Sequence, residues 1–557
     1  MNGDVAVSST GLLRAFSEAG ALAWADVQPA QHLTHLFGEA DERVALALAL
    51  TVRALRGGSI CLTWDRIRDL GSTDDGVVAV PEDLWPADEP WLEAVRASPA
   101  VTVGDQTDGE GPLRLVDGAL YLERHFTDQE NVRRLLLARM VALSGRPPGA
   151  GQDAAIEHAV TDPLTIIAGG PGTGKTYTIR RIVDHIAATE PATIVGLAAP
   201  TGKAAARLTE SLATPALTAV TLHSLLGWRR GARTRFHHDA QHPLPHDVVI
   251  IDEMSMVSML LMARLLAALK PTARLVLVGD PDQLASVDAG SVLSDMTRAP
   301  ATSTVVVRLT ENHRFDGDIA RLAEAIAAGD DASAVETLAE SSTVRLIDPS
   351  RGTTILRDRL LDPGIRLLRA AAAGDVDGAL AALDSHRLLL GHRRGPFGVQ
   401  TWTRQVIDWL AEAEPTLAGD PDSAVGRPVM VTANAPDFGL YNGDTGVVMG
   451  GSGPAQAWFR TGGNLRPFAP FLLDSLTPVH AMTVHKAQGS QFSDVTVVLP
   501  PPGSPLLTRE LLYTAVTRAR RSVVLFGTSE AVAEAVSRPA RRMSGLAHRL
   551  GHPTPTL

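Results

Sequence analysis

Leu164 to Thr176 reads LTIIAGGPGTGKT. The first half is a short apolar run rich in β-branched side chains, the composition of a strand buried on both faces. The second half satisfies G-x-x-x-x-G-K-[ST] counted from Gly169, and helical spacing resumes near Tyr177. Glycine lets backbone N–H groups curl around phosphate oxygens with no Cβ in the way. Gly169, Gly170, Pro171, Gly172, Thr173 and Gly174 are therefore expected to cradle the phosphates of ATP. Lys175 is expected to bring its charge to the β- and γ-phosphates, and Thr176 to offer its hydroxyl to Mg2+. A plain glycine turn would need neither residue between a strand and a helix.

Outward from this stretch the same grammar repeats. TIVGLAA (193–199), DVVIIDE (247–253) and RLVLVGD (274–280) are further apolar runs, each followed by a helical pattern. Such alternation predicts a parallel sheet covered on both faces, with ligand-binding loops at the carboxyl ends of its strands. Asp252 and Glu253 fall at one such end, where Asp252 can hold a Mg2+ shell and Glu253 can polarise a water. Gln283, in GDPDQ, falls at the next, within reach of a γ-phosphate. Arg314, in LTENHRF, and Arg518, in LLYTAVTRAR, are candidate arginine fingers. Around Arg518, helical spacing puts Leu511, Leu512, Ala515 and Val516 on an apolar face and Thr514 with Arg518 on a polar one.

A second α/β region is expected from about residue 301, with strands TVVVRL (304–309), DVTVVLP (494–500) and SVVLFG (522–527). Within it, residues 426–480 hold short strands and an Asn442-Gly443 turn signal, read as a small β-barrel. Residues 1–125 carry little chemistry: helical spacing over 32–54 is broken near Gly38, and the stretch 78–116, rich in Pro, Asp and Gly, reads as loops. A structural or docking role is the expectation there.

The 557 residues correspond to three or four domains at ~150 residues each. Cys61 is the sole cysteine, which excludes an internal disulfide and a cysteine-rich zinc site, and the histidines lack ligand spacing. No basic-then-apolar leader and no apolar run near the ~20 residues of a membrane helix is visible, so a cytoplasmic chain without a membrane partner is expected. The net charge of −11 governs long-range steering rather than a local groove. Locally, Thr201 and Lys203 (PTGK), Thr221 and His223 (TLH), and Thr483, His485 and Lys486 (TVHK) are polar clusters at strand ends of the kind that contact phosphate backbones. Residues 228–246, WRRGARTRFHHDAQHPLPH, set four arginines and two aromatics against one Asp, a composition suited to a single strand. Beyond Glu510 only Glu530 and Glu534 are acidic, too few for a two-metal nuclease.

Taken together, these stretches resemble superfamily 1 helicases, and more narrowly the RecD family, the α subunit of the RecBCD helicase–nuclease (exonuclease V). The resemblance spans about residues 152–527 and rests on APTGKAAARL, TLHSLLG, IIDEMSMV, LVGDPDQLASVDAG, LTENHRF, RRGPFGV, LYNGDTGVV, TVHKAQGSQF and LLYTAVTRAR. It implies an α/β fold of two RecA-like P-loop domains, at 126–300 and 301–557, with an SH3-like insert at 426–480 and a mostly helical N-terminal domain at 1–125 that docks a partner. It further implies Gln152 against adenine, Arg314 and Arg518 on the γ-phosphate, and Lys203, His223, Asn434, His485 and Lys486 on the strand. Residues 228–246 would be a hairpin that parts the duplex. The implied activity is ATP-dependent 5′→3′ DNA helicase action on single strands and DNA ends, alongside RecB and RecC chains, in double-strand break repair by homologous recombination. A stand-alone RecD-like helicase, and a DNA-stimulated ATPase switch acting on a partner nuclease, are the alternatives.

Overall fold

The first described residues build helices over a small sheet. In the computed structural model, which describes residues 9–551 apart from 71, 74–75, 78–79, 106–108, 142–148, 213–216, 229–235, 312–316, 352, 419–424, 451–453, 474 and 541, helices α1 (Gly11–Glu18), α2 (Trp24–Leu36) and α3 (Glu42–Arg56) come first. The predicted break is present: Gly38 has φ +67, and Asp41 caps α3 by accepting the Arg43 N–H at 2.9 Å. The expectation of loops over 78–116 is corrected. That stretch holds helix α4 (Asp88–Ala97) and strands β2 (Val101–Val103) and β3 (Leu113–Val116). Asp88, Glu89 and Pro90 fall in the first turn of α4, where acids suit the helix dipole and Pro lacks an N–H that would be unpaired anyway. Trp91 then seats the helix, its Nε1–H donating to Arg43 O at 2.8 Å. With β1 (Cys61–Thr63) and β4 (Ala119–Leu122) the sheet order is β1-β4-β3-β2, and helix α5 (Glu123–Met140) leads out of it.

Next come α6 (Gln152–Thr161), β5 (Leu164–Gly169), α7 (Lys175–Thr189), β6 (Val195–Ala199), α8 (Gly202–Leu212), β7 (Val220–Thr221), β8 (Val248–Ile251), α9 (Met259–Ala268), β9 (Arg274–Gly279), α10 (Val292–Arg298) and β10 (Val306–Leu309). The strands form one six-stranded parallel sheet, order β10-β5-β9-β8-β6-β7, its central members buried on both faces. Here the assignment of TVVVRL to the second region is corrected: β10 pairs in parallel with the phosphate-loop strand, Val306 opposite Ile166. An apolar run reveals its own period but not its neighbour, so this edge strand could not be assigned to a sheet from sequence.

The second parallel sheet joins β11 (Val344–Ile347), β12 (His386–Leu390), β18 (Ala481–Thr483), β19 (Phe492–Val498) and β20 (Ala519–Phe526) in the order β11-β20-β19-β12-β18. Between β12 and β18 lies a five-stranded antiparallel sheet of β13 (Pro428–Val431), β14 (Thr445–Met449), β15 (Gln456–Thr461), β16 (Asn464–Phe468) and β17 (Leu476–Pro478), order β16-β15-β14-β13-β17. It fits the expected SH3-like insert. Gly443, at φ +96, turns the chain into β14, and Asp444 N–H closes the turn on Tyr441 O at 3.0 Å. Helices α11 (Arg509–Val516), α12 (Ser529–Ser537) and α13 (Leu546–Leu550) complete the described chain. Among the described residues no helix is long and apolar enough to cross a membrane.

Three layers meet around Asp295 of α10. Its neighbour Ser544, before α13, lies with its hydroxyl 3.4 Å from Gln129 Oε1 of α5, and Gln129 Nε2 in turn donates to Tyr121 Oη at 3.5 Å. Asp295 Oδ2 is enclosed without a hydrogen-bond partner, and burial raises the carboxyl to about 7. The folded chain therefore holds a proton that the unfolded chain releases from about pH 4 upward, so this stabilisation is lost as pH rises toward about 7. Asp295→Asn should gain melting temperature over the parent, the gain widening between about pH 5 and about pH 8. In the insert core, Phe459 is fully buried against Phe468, so Phe459→Ala should cost ~3–5 kcal/mol in urea unfolding. Ile355→Ala, at an exposed site, should stay within about 0.5 kcal/mol of the parent.

Candidate nucleotide and strand site

The turn between β5 and α7 has the backbone that the motif requires. Gly172 and Gly174 lie at φ +87 and +80, where any other residue is strained. A Cβ on Gly169 would stand 2.5 Å from Thr173 Oγ1, which itself donates to Gly170 O at 2.9 Å. Lys175 and Thr176 occupy the first turn of a fifteen-residue helix, whose N–H groups and positive end favour anions. Lys175 Nζ donates to the carbonyls of Gly169 and Gly170, both at 2.7 Å.

Parallel pairing of β8 with β9 and of β9 with β5 brings Asp252 and Asp280 to the same edge as this turn. Asp252 is 8% exposed, and its carboxyl is raised first by burial, then by the neighbouring Glu253 charge, with Lys175 and Arg207 opposing. Asp280 is fully buried and likewise raised by burial, with Lys175 opposing. Glu253 stands at φ +53, a left-handed conformation costing ~1–3 kcal/mol in a non-glycine residue, of the kind that concentrates at functional sites. Gln283 Nε2 donates to Asp280 Oδ2 at 2.8 Å.

A cavity of about 430 Å³ gathers Gly172, Lys175, Thr176, Asp252, Glu253 and Gln283 with Arg518 from the second α/β body. Its volume is in the range of a small-molecule site. A larger cleft of about 560 Å³, between the β3–β4 turn and Arg549, holds none of these groups.

The polar helix face expected for Thr514 and Arg518 is corrected. Helix α11 ends at Val516 and is buried from Leu511 onward, so Arg518 follows it rather than riding on it. Arg518 is 3% exposed, its Nε–H donating to Thr514 O at 3.0 Å. Burial lowers its affinity for its proton, while Glu253 and Asp280 act the other way. The Thr514 hydroxyl accepts the Leu284 N–H at 2.8 Å across the two bodies. Arg314 lies outside the described residues, as do the four arginines of the basic segment, although Trp228 and Phe236 form a bridge that closes its base. Gln152 opens α6, outside the lining of the cavity.

Three residues at this site escaped the sequence reading. Tyr513 Oη donates to Asp280 Oδ2 at 3.3 Å, and burial pushes its pKa far up. Gln488 Nε2 donates to Leu284 O at 2.7 Å, and the Arg207 guanidinium donates to Gly489 O at the cavity wall. Arg207, four residues beyond Lys203 on α8, was within reach of a helical-face argument. Tyr513 and Gln488 carried no such signal.

The predicted strand contacts sit at carboxyl ends of strands, yet three of their hydroxyls already serve as caps. Thr201, Thr221 and Thr483 accept the N–H groups of Ala204, Ser224 and Lys486 at 3.2, 3.1 and 3.3 Å. Lys203 Nζ donates to Gly443 O of the insert at 3.3 Å, and burial lowers its pKa while Asp444 opposes. A side chain on the adjoining Gly202 would run into the Tyr441 ring. Asn434 Oδ1 accepts the Asn442 N–H at 3.0 Å, holding the same turn. His223 lies 6.0 Å from Phe236, ring to ring, and burial lowers its pKa. His485 and Lys486 begin a short 3-10 turn after β18, with Lys486 exposed and lowered by partial burial and by Arg393.

Comparison with known proteins agrees with this architecture. The profile of the RecBCD enzyme subunit RecD N-terminal domain matches residues 18–121, an AAA domain 148–349, and a UvrD-like helicase C-terminal domain 478–526. The RecBCD enzyme subunit RecD of Mycobacterium tuberculosis is 46% identical, covering 98% of each chain. That of Mycolicibacterium smegmatis is 44% identical, over 97% of this chain and 99% of its own. The ATP-dependent RecD2 DNA helicase of Deinococcus radiodurans is 30% identical, over 81% of this chain and 62% of that one. A P-loop cavity walled by two parallel-sheet bodies, joined to near end-to-end identity at this level, places the chain in the RecD family of helicases.

Proposed function

We propose that this chain is an ATP-driven 5′→3′ DNA translocase, the α subunit of a RecBCD-type complex. In that role it unwinds DNA ends during double-strand break repair by homologous recombination and contributes to exonuclease V activity. The observation that carries this reading is the shared cavity, where phosphate loop, carboxylates and a second-body arginine converge. Thr176 and Asp252 would hold Mg2+. Among the described residues no three His, Cys, Asp or Glu form a metal cage, which suits an ion completed by phosphates and water. When bound, Mg2+ would neutralise charge on the phosphate oxygens. Glu253 orients the attacking water and accepts its proton, Gln283 reports the γ-phosphate, and Lys175, Arg518 and Arg314 stabilise the charge that builds up in transfer. Gln152 would contact adenine. Thr201, Lys203, Thr221, His223, Asn434, Thr483, His485 and Lys486 would line the single-stranded DNA path, with residues 228–246 as the hairpin beside it.

Residues 1–125 would dock the RecC chain of a cytoplasmic assembly that also holds RecB, followed by motor domains at about 126–309, which includes β10, and 310–557. Identity supports the subunit over a stand-alone helicase: the two mycobacterial RecD subunits are 46% and 44% identical, whereas the RecD2 helicase is 30% identical. Co-purification tests the assembly, with a stable complex containing two larger chains expected and a monomer counting against it. Duplexes tailed at one end or the other test polarity, with unwinding expected only from a 5′ tail.

Lys175→Gln should cut DNA-stimulated ATP hydrolysis by roughly two orders of magnitude or more while leaving the circular dichroism spectrum intact. Retained turnover would move the site elsewhere. Tyr513→Phe keeps the ring but removes a hydrogen bond worth about 0.5–1.5 kcal/mol, so kcat should fall by less than about tenfold.

A further inference from the structure

Beyond α12 the chain leaves the second sheet and crosses the molecule. Ala540 N–H donates to Glu510 Oε2 at 2.6 Å, at the first turn of α11. Three residues on, Ile60 N–H donates to Met543 O at 2.7 Å and Met543 N–H to Ser59 Oγ at 3.1 Å, so the segment is tied to the N-terminal chain just before β1. Helix α13 then docks through buried Leu546 and Leu550, and Arg549 reaches Asp117 at 3.0 Å and Glu130 at 3.1 Å.

Arg542 stands at the centre of this crossing. Its Nη1 donates to Ser286 O and lies 3.5 Å from Asp288 O. A Cβ on Gly58 would meet its Cζ at 3.0 Å, so the guanidinium packs against N-terminal backbone, and Gly58 O accepts the Gly290 N–H at 3.0 Å. Burial lowers the guanidinium's affinity for its proton, and the Glu510 charge opposes that. One side chain thus faces the N-terminal layer, the loop after β9 and the second motor body.

That loop begins with Asp280 and Gln283 at the nucleotide cavity. Its middle is gripped by the second body, through Thr514 and Gln488 on Leu284. Its far end is the Ser286–Asp288 turn, closed by Ser286 Oγ on Asp288 O at 2.6 Å and pinned by Arg542. Asp288 is close enough to favour the charged form of His223, one of the proposed strand contacts. A segment this short, held at both ends, cannot shift at the strand side without moving the cavity side.

We infer that Arg542 is a positioning residue that couples strand engagement to hydrolysis by fixing the far end of the 280–290 loop. The inference rests on the motor reading above. Hydrolysis by the full chain is measured without DNA and with saturating oligo(dT), for the parent, Arg542→Ala, Arg542→Lys and Arg549→Ala. For Arg542→Ala, basal turnover and KM for ATP should stay within about twofold of the parent while DNA-stimulated kcat falls roughly tenfold. Arg542→Lys should recover most of the stimulation, and Arg549→Ala, which loosens α13 without touching the loop, should keep it. Full stimulation of Arg542→Ala overturns the inference. So does an equal defect in Arg549→Ala, or a joint loss of basal turnover and melting temperature in Arg542→Ala. A parent chain that hydrolyses no ATP overturns the motor reading itself, a distinct result.

Discussion

One ammonium group, that of Lys175, offsets two carboxylic acids that the fold has taken out of water. Asp252 and Asp280 end adjacent parallel strands, and burial raises the proton affinity of both. Lys175 opposes that rise in each case. A buried charge without a partner costs several kcal/mol, so lysine, acids and turn form a single electrostatic unit. The parallel sheet is what makes that unit possible, because it delivers every strand end to one edge.

The second α/β body completes this unit rather than merely covering it. Tyr513 bonds Asp280, Thr514 and Gln488 bond the backbone of Leu284, and Arg518 lies buried within the field of Glu253 and Asp280. Each of these contacts crosses between bodies, so their separation changes the polarity around the carboxylates as well as the width of the cleft. Relative motion of the bodies and chemistry at the cavity therefore share the same few atoms.

At the proposed strand contacts the threonine hydroxyls serve the protein's own backbone. Thr201, Thr221 and Thr483 accept backbone N–H groups at the start of the helical turns that follow their strands, so these hydroxyls are already engaged within the chain. Lys203 and Gly202 meet the Tyr441–Asp444 turn of the insert, so the insert packs directly on the first motor body.

Strand periodicity, the glycine-lysine turn and the acids that follow β8 and β9 were legible in the chain, because local spacing fixes which residues lie at a strand end. The helix break at Gly38 and the turn at Gly443 were legible for the same reason, since positive φ leaves a mark in residue type. Pairing partners were not: Val306–Leu309 reads like any buried strand, and only tertiary structure set it beside the phosphate-loop strand. The helix and strands within 78–116 were hidden by their prolines and aspartates, which mark helix starts as readily as loops. Tyr513, Gln488 and Arg542 have meaning only through residues more than two hundred positions away, and such meetings are settled by packing, on which no short-range pattern reports.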